Sequence, residues 1–181
     1  MGEQGKNQAS SNAGGGDAQG EGKGPTPQAQ LIIAVVRSLE RLFEKMMKTK
    51  SKIGPPEPRL GKPAVYDVSG VVHFSGQFEG SVVLSFELEA AKKLVKSFAG
   101  MDIDPHDSSF GDAVGELTNI VAGGAKRELN YRCDIRVPVV LLGQGHTVTP
   151  AVDSPSVIVP CDTEAGKFAV SINLRPVKAA A

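Results

Sequence analysis

Asp112, Glu116, Asn119 and Gly123 follow one another at intervals of four, three and four residues. In a helix that spacing brings all four to one face. The acids offer negative charge there. The carboxamide of Asn119 both donates and accepts hydrogen bonds without carrying charge, so it can fix the direction of a water molecule. An acid and an amide on a solvated helix face ordinarily serve solubility and nothing more. Whether these four residues form a site therefore turns on the elements that hold them.

The helix itself is well signalled. Ser108 or Ser109 can cap it, and Phe110, Ala113, Val114, Leu117, Ile120 and Val121 make an apolar stripe running toward about Leu129. Asp112, Glu116, Asn119 and Gly123 fall outside that stripe. A shorter helix precedes it from Glu89, with Ala90, Ala91, Leu94, Val95 and Phe98 at helical spacing and Gly100 where a left-handed cap is wanted. Upstream, Val65 to Phe74 and Ser81 to Glu87 read as an antiparallel hairpin joined by Ser75 to Gly80. Downstream, Ile135 to Leu142, Ser156 to Val159 and Phe168 to Leu174 read as three more strands.

The N-terminal part reads differently. Residues 1–25, with Gly14, Gly15 and Gly16 among many polar side chains, lack the apolar groups that would offset the entropy of ordering them, and read as a disordered tail. No Gly-Lys-Ser/Thr follows the triple glycine, so it is not a phosphate-binding loop. From Thr26 and Pro27 a helix is predicted, with Ile32, Val35, Val36, Leu39, Leu42, Phe43, Met46 and Met47 on its core face. The prolines at 55, 56, 58 and 63 make residues 51–63 a connector. Residues 26–176 are thus expected to form one α+β domain, helices packed on a mainly antiparallel sheet.

Composition narrows the function. Twenty acidic and twenty basic residues cancel, leaving no field for nucleic acid or anionic lipid, and no apolar run is long enough to span a bilayer. The chain opens on polar residues, with no expected leader or membrane anchor. Cys133 and Cys161 form neither a disulfide framework nor a Cys-x-x-Cys pair, which points to a reducing cytoplasm and to buried structural thiols. His73, His106 and His146 are scattered singly, and no metal site is expected. His146 has the titration range of a general base but falls in a predicted turn away from the helix.

The segment Gly111 to Gly124 closely resembles the Glu-x-x-Asn helix of the CheX, CheC and FliY phosphatases. Val68 to Gly76 resembles that family's hairpin, Ile135 to Val140 with Gly143 its following strand, and Gly166 to Leu174 its last. The resemblance covers about Leu31 to Leu174. A single copy of the motif favours the CheX branch, since CheC and FliY chains typically carry two. The downstream proline of the CheC motif is not matched, because Pro138 comes too early.

The resemblance implies a CheC-like or CheX-like fold. It also implies a phosphatase acting on the aspartyl phosphate of a phosphorylated CheY-like response regulator in chemotaxis. Asn119 matches the residue that positions the attacking water, and Glu116 the residue that pairs with a lysine of the regulator. Asp112 and Gly123 stand as peripheral partner-binding positions, Gly123 serving either a partner's close approach or tight packing of helix on sheet. Mg²⁺ is expected on the regulator, with no cofactor in this chain, and a homodimer built through the sheet is expected. The alternative is a catalytically silent module that sequesters a regulator or joins a flagellar switch assembly.

Overall fold

The computed structural model describes residues 25–60, 64–129 and 132–177. All but the last residue of the expected tail lies outside them. Thr26 caps α1 (Pro27–Arg41), its hydroxyl accepting from the Ala29 amide at 3.3 Å, as the Thr-Pro pair predicts. A single wider π-helical turn (Leu42–Met47) continues α1 and closes on Lys48 at φ 50°. That turn changes the phase of the stripe. Met47 is buried and Met46 is 55% exposed, whereas a continuous α-helical period predicts both inside.

The connector holds two short strands, β1 (Ser51–Ile53) and β2 (Glu57–Pro58), where only loop was expected. Both pair with β7 (Ser156–Thr163), and Pro58 is tolerated because β2 is an edge strand. The hairpin comprises β3 (Tyr66–Gly76) and β4 (Phe78–Phe86), and only Gln77 lies between the two strands. It is tighter than predicted because β8 (Gly166–Pro176) pairs with β4 all the way from Phe86 back to Phe78. The strand expected from Ile135 is split into β5 (Cys133–Ile135) and β6 (Val139–His146), both antiparallel to β3.

The described strands form one antiparallel sheet in the order β1-β7-β8-β4-β3-β5, with β2 also on β7 and β6 also on β3. The helices α1, α2 (Leu88–Ala99) and α3 (Ser108–Glu128) lie on one face of it. Val68, Val72, Val82, Leu84, Val170 and Ile172 point into the core between sheet and helices. Against them α3 buries Phe110, Val114, Leu117 and Val121, each contributing about 1.5–3 kcal/mol. Ile120 of the predicted stripe is only half-buried. The opposite face of the sheet is partly crossed by residues 147–155, which Asn173 pins by accepting from the Val152 amide and donating to the Ser154 carbonyl.

Two contacts bring α3 unusually close to its neighbours. A β-carbon on Gly70 of β3 would stand 2.0 Å from the Thr118 hydroxyl, and one on Gly124 would stand 2.0 Å from the Ser38 hydroxyl of α1. Thr118 is fully buried, its hydroxyl donating to the Val114 carbonyl at 2.8 Å. Gly70→Ala should therefore destabilise the fold by about 1–3 kcal/mol. The double variant Gly70→Ala with Thr118→Ala should cost less than the two single effects added together, because removing the hydroxyl clears the space the new methyl needs. Denaturant titration of the two single variants and the double variant measures this coupling.

Candidate functional site

The cap of α3 is Asp107 rather than either serine. Its carboxylate accepts from the Ser109 amide at 2.8 Å, and this hydrogen bond holds the carboxyl below the usual range. Aspartate suits the position because its charge also complements the positive end of the helix dipole. At the other end, Arg37 and Arg41 of α1 form ion pairs with Glu128 in the last turn of α3. The helix is thus held at both ends and seated along its middle by Thr118 and Gly124.

With that rotation set, Asp112 and Glu116 are exposed and Asn119 is half-buried on the outward face. None of the three side chains has a hydrogen bond or ion pair to another described residue, so their polar groups are available to a partner. Gly115, which spacing alone passes over, explains how the face is presented. A β-carbon there would meet Val140 at 3.5 Å and Pro138 at 3.8 Å, so the helix lies directly over the start of β6. Glu116 and Asn119 consequently project beside the β5–β6 edge of the sheet.

Gly123 extends the same face, and its two readings can be separated. A β-carbon there would meet only Ile135 and Arg127, both at 3.8 Å, which is ordinary contact. Close packing demands glycine at 124 and not at 123.

A model of the family "Chemotaxis phosphatase CheX" matches residues 68–162. The chain belongs to that family. The matched span includes the hairpin, α2, α3 and the strands through most of β7. A CheY-P phosphatase CheX from Thermotoga maritima is 28% identical over 120 residues, covering 64% of this chain and 77% of the relative. The crystal structure of the chemotaxis protein CheX from Vibrio vulnificus superimposes with a TM-score of 0.74 at 28% identity, covering 81% of this chain and 100% of that one. A CheC-like superfamily protein from a Shewanella species gives 0.73 at 30% identity, over 81% and 97%. The helices packed on one antiparallel sheet are thus the CheC-like and CheX-like fold that the sequence implied.

Other reactive groups of this CheX-family chain lie away from the α3 face. His146 is the last residue of β6 rather than part of a turn. Its Nδ1 lies 2.8 Å from the Gly143 carbonyl and its Nε2 2.9 Å from the Ser69 hydroxyl. The carbonyl requires hydrogen on Nδ1, which leaves Nε2 to accept from Ser69. Ser69 is itself fully buried and linked to Ser85 at 3.0 Å, so this Ser-His pair has no access to substrate. No group of three His, Cys, Asp or Glu side chains among the described residues could hold a metal ion.

Both cysteines are buried and unpaired. Burial pushes the Cys161 thiol up to about 12 and raises that of Cys133 as well. A thiolate nucleophile is therefore disfavoured at both positions. A thiol-reactive dye at mildly alkaline pH should leave both cysteines unmodified in the native protein and label both after denaturation. Rapid labelling of the native chain would contradict this.

Proposed function

We infer that this protein is a phosphatase that removes phosphate from the aspartyl phosphate of a CheY-like response regulator, with Asn119 and Glu116 supplying its part of the reaction. The observation that carries the reading is the outward, unpartnered pair Glu116 and Asn119 on a rigidly seated helix of a CheX-family chain. The naming of the Thermotoga maritima relative as a CheY-P phosphatase supports the same substrate class.

The chemistry needs few groups from this side. A water oxygen attacks phosphorus in line, the bond from phosphorus to the regulator's aspartyl oxygen breaks, and inorganic phosphate and a free aspartate carboxylate result. Such transfers depend mostly on positioning and on charge stabilisation at the phosphoryl oxygens. The Asn119 carboxamide can accept from the attacking water and donate toward a phosphoryl oxygen, and it brings no negative charge toward the phosphate. Its half-buried position on a well-packed helix favours a narrow range of side-chain orientations. Glu116, one turn earlier and exposed, is suited to pairing with a lysine of the regulator and so to docking rather than proton transfer. Asp112 and Gly123 flank the pair as further contact positions. Mg²⁺, expected on the regulator, would neutralise phosphoryl charge, and the reading gives this chain no cofactor of its own.

The same reading places the protein in the cytoplasm, where this class of regulator works. The two unpaired cysteines agree with that. It also makes the protein a homodimer assembled through its sheet. The β6 edge supports this, because it pairs with β3 on one side and carries Val139 at 51% and Leu142 at 47% exposure, with Leu141 at 37%. Val139 and Leu141 also line a cleft of about 330 Å³ with Val71 and His73 on the helix-free face. Apolar side chains on an unpaired edge are a template for association.

Mixing the chain with a CheY-type regulator phosphorylated in the presence of Mg²⁺ should accelerate phosphate release. Asn119→Ala should lower the maximal rate on the order of 100-fold, and Asn119→Asp should be no better, by repulsion. Glu116→Ala should mainly raise the regulator concentration required. Regulator binding without acceleration would overturn the phosphatase reading in favour of a silent binding module. Sedimentation at micromolar concentration should show a dimer that Val139→Lys with Leu141→Lys dissociates, and a monomeric native chain would refute the assembly.

A further inference from the structure

We propose that Arg127 is a second docking residue, taking a carboxylate on the regulator's surface at the C-terminal end of α3, on the same face as the contact made by Glu116. The proposal deepens the reading above and rests on its docking half.

Arg127 follows Gly123 by four residues and Glu116 by eleven, close to three full turns, so it belongs to the outward face. Its guanidinium does not extend away from the helix. It folds back along the face, with Nη1 3.8 Å from where a β-carbon on Gly123 would stand and Nη2 3.7 Å from the same point on Gly124. The guanidinium thus lies over the Gly123 backbone at ordinary contact distance. The guanidinium thereby sits about one turn, roughly 5 Å along the axis, beyond Asn119.

Nearby carboxylates do not occupy it. Glu128 is engaged by Arg37 and Arg41, and Asp134 by Lys126 at 3.1 Å. Arg127 itself is exposed and its guanidinium has no hydrogen bond or ion pair to another described residue. The face therefore runs from acid at Asp112 and Glu116, through the neutral amide of Asn119, to an open guanidinium at Arg127. A partner meeting it would need a cation at one end and an anion at the other, and only one orientation satisfies both. The planar fork of arginine suits a carboxylate, which it can bind through two parallel hydrogen bonds. A basic residue in the last turn also offsets the helix dipole, and that purely structural role makes a different prediction.

The test uses a CheY-type regulator held in its activated form by beryllofluoride and Mg²⁺, titrated with the full chain, alongside steady-state phosphate release. Arg127→Glu should weaken binding about tenfold at low salt, with a smaller effect at high salt, and should leave the rate at saturating regulator unchanged. Arg127→Lys should fall between the native chain and Arg127→Glu. Lys52→Glu, the same charge change on β1 at the opposite edge of the sheet from β5, should have little effect. Thermal melts, with Arg127→Gln as a milder variant, separate any loss of folding from loss of docking.

Unchanged affinity in Arg127→Glu would overturn the proposal and leave Arg127 a helix-end charge. A fall in the saturated rate at unchanged affinity would overturn it too, assigning the guanidinium to the phosphoryl group instead. If the native chain binds the regulator but does not speed phosphate release, the phosphatase reading fails alone and the affinities still decide the role of Arg127. If the native chain binds no activated regulator, both readings fall.

Discussion

The close seating of α3 against its neighbours controls the rest of the structure. Thr118 occupies the space above Gly70 that a side chain would otherwise fill, and Ser38 does the same against Gly124. A helix held only by Leu, Val and Phe could roll by some tens of degrees and still bury comparable area, since apolar contact is not directional. Two points without a β-carbon, one facing the sheet and the other facing α1, exclude such rolling by steric overlap. The ion pairs of Arg37 and Arg41 with Glu128 and the Asp107 cap then secure the ends.

From that rotation the candidate site follows. Asp112, Glu116 and Asn119 point outward because Phe110, Val114, Leu117 and Val121 must point inward, and Gly115 lets the helix settle onto β6 at Pro138 and Val140. The polar atoms of Glu116 and Asn119 have no side-chain partner among the described residues and are open to another molecule. Such a surface suits chemistry completed by a second protein. The polar pair elsewhere, buried Ser69 with half-buried His146, holds the end of β6 to the sheet.

Much of this was legible in the residues. The period of Phe110 to Val121 identified both faces of α3, and the Thr26-Pro27 pair identified the start of α1, because capping and amphipathic spacing are local properties. Features that local spacing does not show follow from partners elsewhere in the chain or from a change of helical phase. Only Gln77 lies outside the hairpin strands because β8, from the far end of the chain, pairs across the whole of β4. Pro58 entered a strand because β7 supplied an edge. Met46 faces solvent because the π-helical turn shifts the phase, and that turn leaves no mark in the hydrophobic pattern.

The sequence by itself determined that Glu116 and Asn119 share one face of an amphipathic helix, and that this helix carries a CheX-family motif, because both follow from residue type and spacing along a single element. Tertiary structure alone decided that the face is open, that Arg127 folds back over Gly123 while Gly124 receives Ser38, and that the face lies beside an apolar sheet edge. Those properties depend on which atoms from distant segments come within a few ångströms, and no local spacing encodes that.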